Sequence, residues 1–267
     1  MKTTILALVI GAAAWAQNAP PPPPPPPASA GTPAAAATDD LAKLQQQLAR
    51  NARTLKDWAN LGRYHADNVT VMAAPASDER VVFMGDSITD GWGKKYGHFF
   101  PSKPYVNRGI SGQTTPQMLI RFRPDVIALK PKVVVILAGT NDIAGNTGPE
   151  TLEDIEGNLM SMVELAHANG INVVFSAVMP VCDYIKNQTT QRPPDQIIAL
   201  NAWMKEYAAK NKVVYLDYYT PMLDDKQMFK QELTFDGLHP NDAGYAIMQP
   251  LAEEAVATAL KMKSSKK

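Results

Sequence analysis

The sequence has only one cysteine and no excess of positive or negative charge, and each of these features excludes some classes of protein. Because Cys182 is alone among 267 residues, no intramolecular disulfide can form, and stability has to come from an apolar core. Lysine and arginine number 26, the same as aspartate and glutamate, whereas a nucleic-acid-binding surface is basic. The one basic cluster, from Lys261 to Lys267, is typical of a solvated chain end. The composition therefore argues against a nucleic-acid partner.

No apolar run is long enough to cross a bilayer, which takes about 20 apolar residues. The run at the start, from Ile5 to Ala14, is too short. It follows Lys2 and leads into Ala14-Trp15-Ala16, and these three regions together are typical of a secretory signal peptide. We expect residues 1–16 to be cleaved after Ala16, with no cysteine beside the cut to accept a lipid. The mature chain is then exported, periplasmic or secreted if bacterial, without stable membrane insertion.

Proline is concentrated at one end of the chain. Nine of the 22 prolines lie in the first 33 residues, eight of them in the run from Pro20 to Pro27. Residues 17–38 consist almost wholly of Pro, Ala, Ser, Thr and Gly, which bury too little apolar surface to form a core. The run predicts a stiff polyproline stretch of roughly 25 Å. We interpret residues 17–38 as a disordered spacer, with a docking site for a proline-binding partner as the alternative.

A helical pattern follows the spacer. Asp39 or Asp40 can cap this helix. Its apolar positions recur every three or four residues, at Leu41, Leu44, Leu48, Ala52 and Leu55. We expect this stripe to pack against the rest of the protein, and the helical extension to cover residues 39–74. One domain then occupies residues 75–262, before a short basic tail at 263–267.

Beyond the extension, short apolar runs alternate with helical patterns. Strands are predicted at 81–84, 105–107, 133–138, 171–178 and 213–216, and helices at about 115–129, 149–169 and 195–210. The runs are rich in Val and Ile without polar alternation, which indicates strands covered on both faces. We therefore expect an α/β domain, a three-layer sandwich in which helices flank a five-stranded parallel sheet. In such sheets the ligand site lies beyond the carboxyl ends of the strands.

Four short motifs carry the chemistry. In chain order they are Gly85-Asp86-Ser87-Ile88, Asn107-Arg108-Gly109-Ile110-Ser111-Gly112, Gly139-Thr140-Asn141-Asp142 and Asp236-Gly237-Leu238-His239-Pro240. Over roughly residues 80–260 the sequence thereby resembles the SGNH or GDSL family of serine esterases and lipases, most of all its platelet-activating-factor acetylhydrolase-like branch. The resemblance implies a flavodoxin-like fold and hydrolysis of a carboxylic ester. The serine lacks a Gly-x-Ser-x-Gly elbow, which argues against the ordinary α/β-hydrolase fold.

Ester hydrolysis needs a nucleophile, a base and a group that orients the base. Three of the four histidines lie in contexts typical of surface or packing residues: His65, His98 and His167. The fourth, His239, stands three residues after Asp236, so one short loop can present both imidazole and carboxylate. Ser87 opens the loop after the first strand, where the start of a helix can supply backbone donors. We predict Ser87 as nucleophile, His239 as base and Asp236 as the orienting group.

The resemblance also implies an oxyanion hole. In the family its donors are the backbone N–H of the nucleophile, the N–H of a glycine in the second motif and the amide of the third-motif asparagine. At the matching positions stand Ser87, Gly112 and Asn141. A glycine suits this role because no side chain blocks the approach of the substrate oxygen. We expect Asp86 and Asp142 to hold the loops through hydrogen bonds to the backbone.

The residues that contact the substrate are less clearly marked. No metal or organic cofactor is implied, since the sequence has no phosphate-loop, dinucleotide, His-Glu-x-x-His or Cys-x-x-Cys pattern. Trp92 is a candidate wall of the acyl site. The segment 183–194 follows the fourth predicted strand and is expected to border the site. Within it, Tyr184 and Arg192 are the candidate substrate-binding residues.

These observations predict an exported serine esterase that removes a short acyl group, most simply acetyl, from a carbohydrate or a similar alcohol. The expected partner is therefore a small-molecule or glycan ester. Two alternatives stay open. A lysophospholipase or thioesterase would act on longer acyl chains. A non-catalytic carbohydrate-binding domain would keep the esterase fold without its activity. The sequence determines neither the alcohol nor the oligomeric state.

Overall fold

The computed structural model describes residues 33–263, apart from Ala76 and Asp78. The predicted signal peptide at 1–16, the spacer up to residue 32 and the tail beyond residue 263 lie outside the described residues. The described residues fall into two units that divide between residues 49 and 50, and the second contains the whole sheet. Across the described residues, no helix combines the length and the apolarity needed to cross a membrane.

Most of a long helix, α1 at Pro33–Lys56, lies in the first unit. It begins before the predicted cap because four alanines follow Pro33; proline is tolerated in a first helical turn, and alanine is the strongest helix former. The predicted apolar stripe is not buried. Four of its leucines are 55–85 % exposed: Leu41, Leu44, Leu48 and Leu55. Local propensity rather than burial therefore accounts for the helix.

The second unit alternates strands with helices, as predicted. Its strands are β1 Val81–Gly85, β2 Tyr105–Gly109, β3 Val133–Leu137, β4 Asn172–Ser176 and β5 Val213–Leu216. Its helices are α2 His65–Ala73, α3 Ser87–Gly91, α4 Thr115–Asp125, α5 Thr140–Ile143, α6 Leu152–Ala168, α7 Pro194–Lys210 and α8 Asp242–Lys261. Short 3-10 turns at 127–129, 220–222 and 231–233 connect some of these elements.

All five strands are parallel and lie in the order β2-β1-β3-β4-β5. This is the flavodoxin-like order, and it confirms the predicted fold class. Strands β1, β3 and β4 are buried along their whole length. Successive side chains point to opposite faces, so Val82 and Met84 join one core while Val81 and Phe83 join the other. Full burial of each such side chain contributes about 1.5–3 kcal/mol to folding.

Helices cover both faces of the sheet. Helices α4, α6 and α7 pack on one face, and α8 packs on the other. Helix α8 has no clear signature in the sequence, because its buried face consists largely of small residues and Pro250 lies in its interior. Asn241 caps α8 by accepting from the Gly244 N–H at 3.1 Å. This cap fixes the end of the loop that carries His239.

The predicted helical extension contains two helices rather than one, and the second is tied to the sheet. The Tyr64 hydroxyl, directly before α2, donates to the carbonyl of Gly109 at the end of β2. Asn68 in α2 donates to Asp125 at 2.7 Å and accepts from Arg108 at 2.9 Å, and all three residues are buried. Helix α2 and the residue before it are thus fixed beside the carboxyl end of β2.

Candidate active site

The loops after three neighbouring strands lie at one edge of the sheet. Strand β1 lies between β2 and β3, and the strand order reverses at this point, where ligands bind in open α/β sheets. The turn after β1 carries Ser87 into α3, the loop after β2 carries Gly112, and Asn141 lies in α5, which begins shortly after β3. The fold therefore brings the first three motifs together.

Ser87, His239 and Asp236 form a continuous hydrogen-bonded chain. Ser87 Oγ lies 2.9 Å from His239 Nε2, and His239 Nδ1 lies 2.9 Å from Asp236 Oδ2. Serine and histidine are 152 residues apart in the sequence, so only the tertiary fold joins them. The imidazole side chain is 25 % exposed, which leaves it open to a substrate. The structure thus places the three predicted residues in the order that nucleophilic catalysis requires.

Backbone donors hold the Asp236 carboxylate in place. Its Oδ1 accepts from the N–H of His239 at 2.8 Å and from that of Leu238 at 3.1 Å, which leaves Oδ2 for the ring. Burial acts to raise the pKa of Asp236, but these hydrogen bonds and the adjacent histidine outweigh it, so the pKa lies below its ordinary value. Asp236 is therefore ionised at neutral pH and can stabilise a positive charge on His239.

The catalytic loop is supported from behind by residues that follow β4. Gln188 donates to the carbonyl of Asp236 at 3.1 Å, and the Cys182 N–H donates to the carbonyl of Gly237 at 2.9 Å. Gly237 has a φ of 89°, and an added Cβ would lie 2.3 Å from the Cys182 carbonyl oxygen, so this position requires glycine. Burial raises the pKa of the Cys182 thiol. The cysteine is thus a packed residue, as predicted.

Asp86 fixes the turn that carries Ser87. Its Oδ1 caps α3 by accepting from the Ile88 N–H at 2.9 Å. Its Oδ2 is buried and has no hydrogen-bond partner among the described residues. Burial raises the pKa of Asp86 to about 7. Asp142 likewise accepts from the Thr115 N–H at 2.7 Å. Both aspartates hold loops through backbone hydrogen bonds, as predicted.

The second motif presents its donor on the loop after β2, and the third presents its donor in α5. Gly112 has a φ of 80°, and an added Cβ would find its nearest neighbour, Asn146 Nδ2, only at 4.0 Å. Glycine is favoured there by backbone conformation, and the space beside it is open. Asn146 donates to the Gly112 carbonyl at 3.1 Å. Asn141 is buried, and its Nδ2 donates to the carbonyl of Gln113 at 3.0 Å.

Arg192 lies behind the third motif rather than in contact with a substrate. It is only 6 % exposed. Its guanidinium donates to Asn141 Oδ1 at 3.4 Å, to Thr140 Oγ1 at 3.2 Å and to Gln188 Oε1 at 3.3 Å. The structure therefore contradicts the predicted substrate-binding role of Arg192, because its guanidinium bonds to the residues that hold the site and does not face the substrate.

A cleft of about 500 Å³ opens over the catalytic residues. It is lined by Arg63, Ser87, Asp90, Gly91, Lys94, Lys95, Tyr96, Ser111, Phe235, Asp236, His239 and Tyr245. Most of these lining residues were not predicted from the sequence. The position of Phe235 directly before Asp236 is the one signal that could have indicated them. Arg63 comes from the helical extension, and only the tertiary structure shows that the extension contributes to the site.

The charged side chains of the cleft pair with one another. Asp90 lies 2.6 Å from Lys94 and 3.5 Å from Arg63, and it accepts from the Ser111 hydroxyl at 2.8 Å. Burial acts to raise the pKa of Asp90, but these partners outweigh it and bring the pKa below its ordinary value. Within the part of the chain that is described, no three His, Cys, Asp or Glu side chains cluster closely enough to hold a metal ion.

Aromatic rings continue from His239 along the cleft. The ring of Phe235 lies nearly parallel to the imidazole at 5.5 Å, and Tyr96 stacks on Phe235 at 4.8 Å. Trp92, the predicted wall of the acyl site, is instead 3 % exposed and belongs to the aromatic core. Tyr245 packs on Trp92 at 5.2 Å and lines the cleft in its place. The prediction for Trp92 is therefore wrong.

Tyr184 lies at a different surface pocket, with residues 223–226 and 230–232. It is 39 % exposed, and its hydroxyl donates to Asp224 at 2.6 Å. Within the described structure, no residue of 183–194 lines the catalytic cleft. The segment nevertheless borders the site, as predicted, because Gln188 bonds to Asp236 and Arg192 bonds to Asn141. Tyr184 itself lies at a different pocket from the catalytic residues.

The flavodoxin-like sheet with a Ser-His-Asp chain at its carboxyl edge defines the serine hydrolase class within the α/β proteins. The family model described as GDSL-like lipase/acylhydrolase matches residues 83–247. The chain therefore belongs to the GDSL-like lipase/acylhydrolase family. This membership confirms the predicted resemblance.

Relatives of this chain include solved structures and curated esterases. A Bacteroides fragilis protein assigned as an acylhydrolase is 44 % identical with a TM-score of 0.72, over 77 % of this chain and 99 % of that one. An acetylxylan esterase of Xylanibacter ruminicola is 27 % identical over 68 % of this chain and 44 % of its own length. One from Geobacillus stearothermophilus is 25 % identical over 64 % and 91 %. The chain spans about half the length of the first curated relatives that it matches.

Proposed function

We propose that this chain is an exported serine esterase that removes a short acyl group, most simply acetyl, from a carbohydrate. One observation carries the proposal, namely the two 2.9 Å contacts that join Ser87, His239 and Asp236. The family and the two acetylxylan esterase relatives support ester hydrolysis and a carbohydrate alcohol. The signal-peptide pattern at residues 1–16 supports export.

In the first half-reaction, Ser87 Oγ attacks the carbonyl carbon of the ester. His239 Nε2 accepts the hydroxyl proton as the new bond forms, while Asp236 keeps the proton of Nδ1 in place. The tetrahedral intermediate collapses when His239 gives its proton to the alcohol oxygen, and the C–O bond to the alcohol breaks. Ser87 then carries the acyl group as an ester.

In the second half-reaction, water takes the place of the alcohol. His239 accepts a proton from the water molecule, whose oxygen attacks the acyl carbon. The bond to Ser87 Oγ breaks as His239 returns the proton to it, and the carboxylic acid leaves. The partial exposure of the imidazole, 25 %, gives water access to the base.

Three donors stabilise the oxyanion in this scheme: the N–H groups of Ser87 and Gly112, and Nδ2 of Asn141. Among the described residues, neither N–H donates a hydrogen bond, so both are available to a substrate. Asn141 Nδ2 carries two hydrogens and gives one to the carbonyl of Gln113. The second hydrogen remains for the oxyanion, and donors fixed in advance are the usual source of this stabilisation.

Arg192 determines which way the Asn141 amide points. A guanidinium group only donates, so it selects the amide oxygen Oδ1. The carbonyl of Gln113 only accepts, so it selects Nδ2. The amide is therefore locked at both ends before a substrate arrives. In this proposal Arg192 is a positioning residue that acts through Asn141.

The Asn141→Ala variant should lower kcat by about 10²–10³-fold, the usual cost of one oxyanion donor. Arg192→Met should lower kcat by about 10- to 100-fold with little change in KM, as the loss of an orienting partner commonly does at metal sites. Because Arg192 acts through Asn141, the double variant should be no slower than Asn141→Ala alone. Steady-state hydrolysis of p-nitrophenyl acetate measures all three.

Arg123→Met provides the matched control, since Arg123 is an exposed arginine on α4. Its kcat should stay within about twofold of the wild type, as surface substitutions usually do. Losses that multiply in the double variant would show that Arg192 acts independently of Asn141. Thermal unfolding of each variant separates lost catalysis from lost folding.

The walls of the catalytic cleft favour a small acyl group. Charged Arg63, Asp90 and Lys94 line it beside the rings of Tyr96 and Phe235. A long acyl chain binds best along mostly apolar walls. The three charged side chains interrupt the apolar wall that the long acyl chain of a lysophospholipase or thioesterase substrate would follow, so we expect a short acyl group.

A series of p-nitrophenyl esters from acetate to octanoate tests acyl size. We expect kcat/KM to be highest for acetate or propionate and to fall for longer chains. A cleft that buried the chain would instead gain about 0.8 kcal/mol for each added methylene. A steady rise of kcat/KM through octanoate would favour the long-chain alternative.

A further inference from the structure

A second cleft adjoins the catalytic one. It has a volume of about 610 Å³ and shares Ser111 with the catalytic cleft. Gly112, whose N–H is a proposed oxyanion donor, also lines it. The second cleft therefore begins where the carbonyl oxygen of a bound ester would lie, and it gives the part of the substrate beyond the reacting carbon a place to bind.

The far wall of this cleft comes from the segment between α1 and α2. Trp58 lies there and is 39 % exposed, with the polar residues Asp57 and Asn60 beside it. An aromatic ring with polar neighbours suits a pyranose, because C–H groups of the sugar pack on the ring while its hydroxyls bond to the polar groups. Lys56 is the one cation in the lining and Asp57 the one anion, so the described walls favour a neutral ligand over a phosphate.

Hydrogen bonds fix the backbone at Trp58 against the residues that follow Gly112. Gln117 donates to the carbonyl of Trp58 and Gln113 to that of Ala59, both at 2.7 Å. Asp57 accepts from the Leu61 and Gly62 N–H groups at 2.7 and 2.9 Å. Gln113 also carries the carbonyl that orients Asn141. The wall is thus built before binding, which lowers the entropy cost of holding a ligand.

We propose that this second cleft is a subsite for the sugar chain of the ester, with Trp58 as its stacking platform. The inference rests on the proposed esterase function and deepens it, because it assigns the alcohol side to an oligosaccharide. An acyl group would occupy the catalytic cleft while the sugar residues next to the esterified one extend past Ser111 onto Trp58. The subsite therefore favours acetylated chains over acetylated single sugars.

The test compares acetylated xylohexaose, acetylated xylose and p-nitrophenyl acetate as substrates. In the wild type, kcat/KM should be higher for the hexaose than for the single sugar. Trp58→Ala should lower the ratio of kcat/KM for the hexaose to that for p-nitrophenyl acetate by about tenfold or more, the usual effect of removing a central aromatic contact. Trp58→Phe, which keeps a ring, should restore most of that ratio.

Tyr184→Ala is the matched control, because Tyr184 is an aromatic residue of the same 39 % exposure at a different pocket. It should leave the ratio unchanged. An equal loss on all substrates in Trp58→Ala would show a structural role and overturn the subsite, as would no loss at all.

A binding measurement separates this proposal from the esterase proposal. Calorimetry with Ser87→Ala protein and acetylated xylohexaose reports the subsite without turnover, and Trp58→Ala should weaken that binding about tenfold. Absence of binding would overturn the subsite even if p-nitrophenyl acetate is hydrolysed. Binding without any hydrolysis by the wild type would leave the subsite standing and overturn the esterase.

Discussion

Replacing Ser87 with alanine is expected to lower kcat for p-nitrophenyl acetate by about 10⁴–10⁶-fold, as the loss of a triad nucleophile does in serine proteases. Ser87 Oγ is the atom that bonds to the acyl carbon in the acyl-enzyme, and no other group in the cleft is expected to replace it. Ser87 Oγ bonds only to His239 among the described residues. Alanine is also a good helix former at the start of α3. The variant should therefore fold like the wild type.

Labelling with a fluorophosphonate gives a second measurement on the same variant. The wild type should gain one label on Ser87, visible by intact mass and peptide mapping, and Ser87→Ala should gain none. Ser161→Ala is the matched control, because Ser161 bonds to the carbonyl of Gly157 within α6 and lies outside the cleft. Unchanged turnover or labelling in a folded Ser87→Ala protein would show that Ser87 is not the nucleophile. A wild type that shows neither turnover nor labelling would favour the carbohydrate-binding alternative.

The second large effect is expected for Asp236→Asn, which should lower kcat by about 10⁴-fold while the fold is kept. The amide oxygen of asparagine can still accept from the N–H groups of Leu238 and His239, as Oδ1 does now. Its NH₂ group then faces His239 Nδ1. The ring must accept there and carry its proton on Nε2, so it cannot take the proton of Ser87. A charge that would stabilise the imidazolium is lost as well.

Steady-state kinetics and urea unfolding together check the Asp236→Asn prediction. Asp217→Asn is a suitable control because Asp217 also accepts from a backbone N–H, that of Thr220 at 2.9 Å, but lies outside the cleft. Its kcat should stay within about twofold of the wild type. If Asp236→Asn kept more than about one-tenth of wild-type kcat, the proposed orienting role of Asp236 would be wrong.

The strands were predictable because local composition decides them. Uninterrupted Val and Ile side chains at 133–137 are stable only where both faces are covered, and the structure buries all five of these residues. Helix α8 was not predictable in the same way. Its small buried residues become a packing surface only against β3, β4 and β5, and no local periodicity carries that information.

The residues of the site likewise fall into those that local sequence predicts and those that only the tertiary fold places. Asp236 and His239 lie in one short loop, so their pairing follows from local geometry. Arg192 and Trp58 gave no comparable signal. Arg192 looked like an exposed loop residue, yet it is buried behind Asn141. Trp58 lies in an extension that composition sets apart, yet it lines a cleft next to Gly112.

The sequence by itself determined the layered α/β architecture, the motifs and the family, because apolar runs and short loop motifs are local properties. The single cysteine excluded a fold held together by disulfides, and the balanced charge argued against a basic nucleic-acid-binding surface. Only the tertiary structure decided which walls surround Ser87 and what supports the oxyanion donors. Those contacts join residues such as Arg63 and Phe235 across the chain, and their positions depend on how the strands pair and how the helices pack.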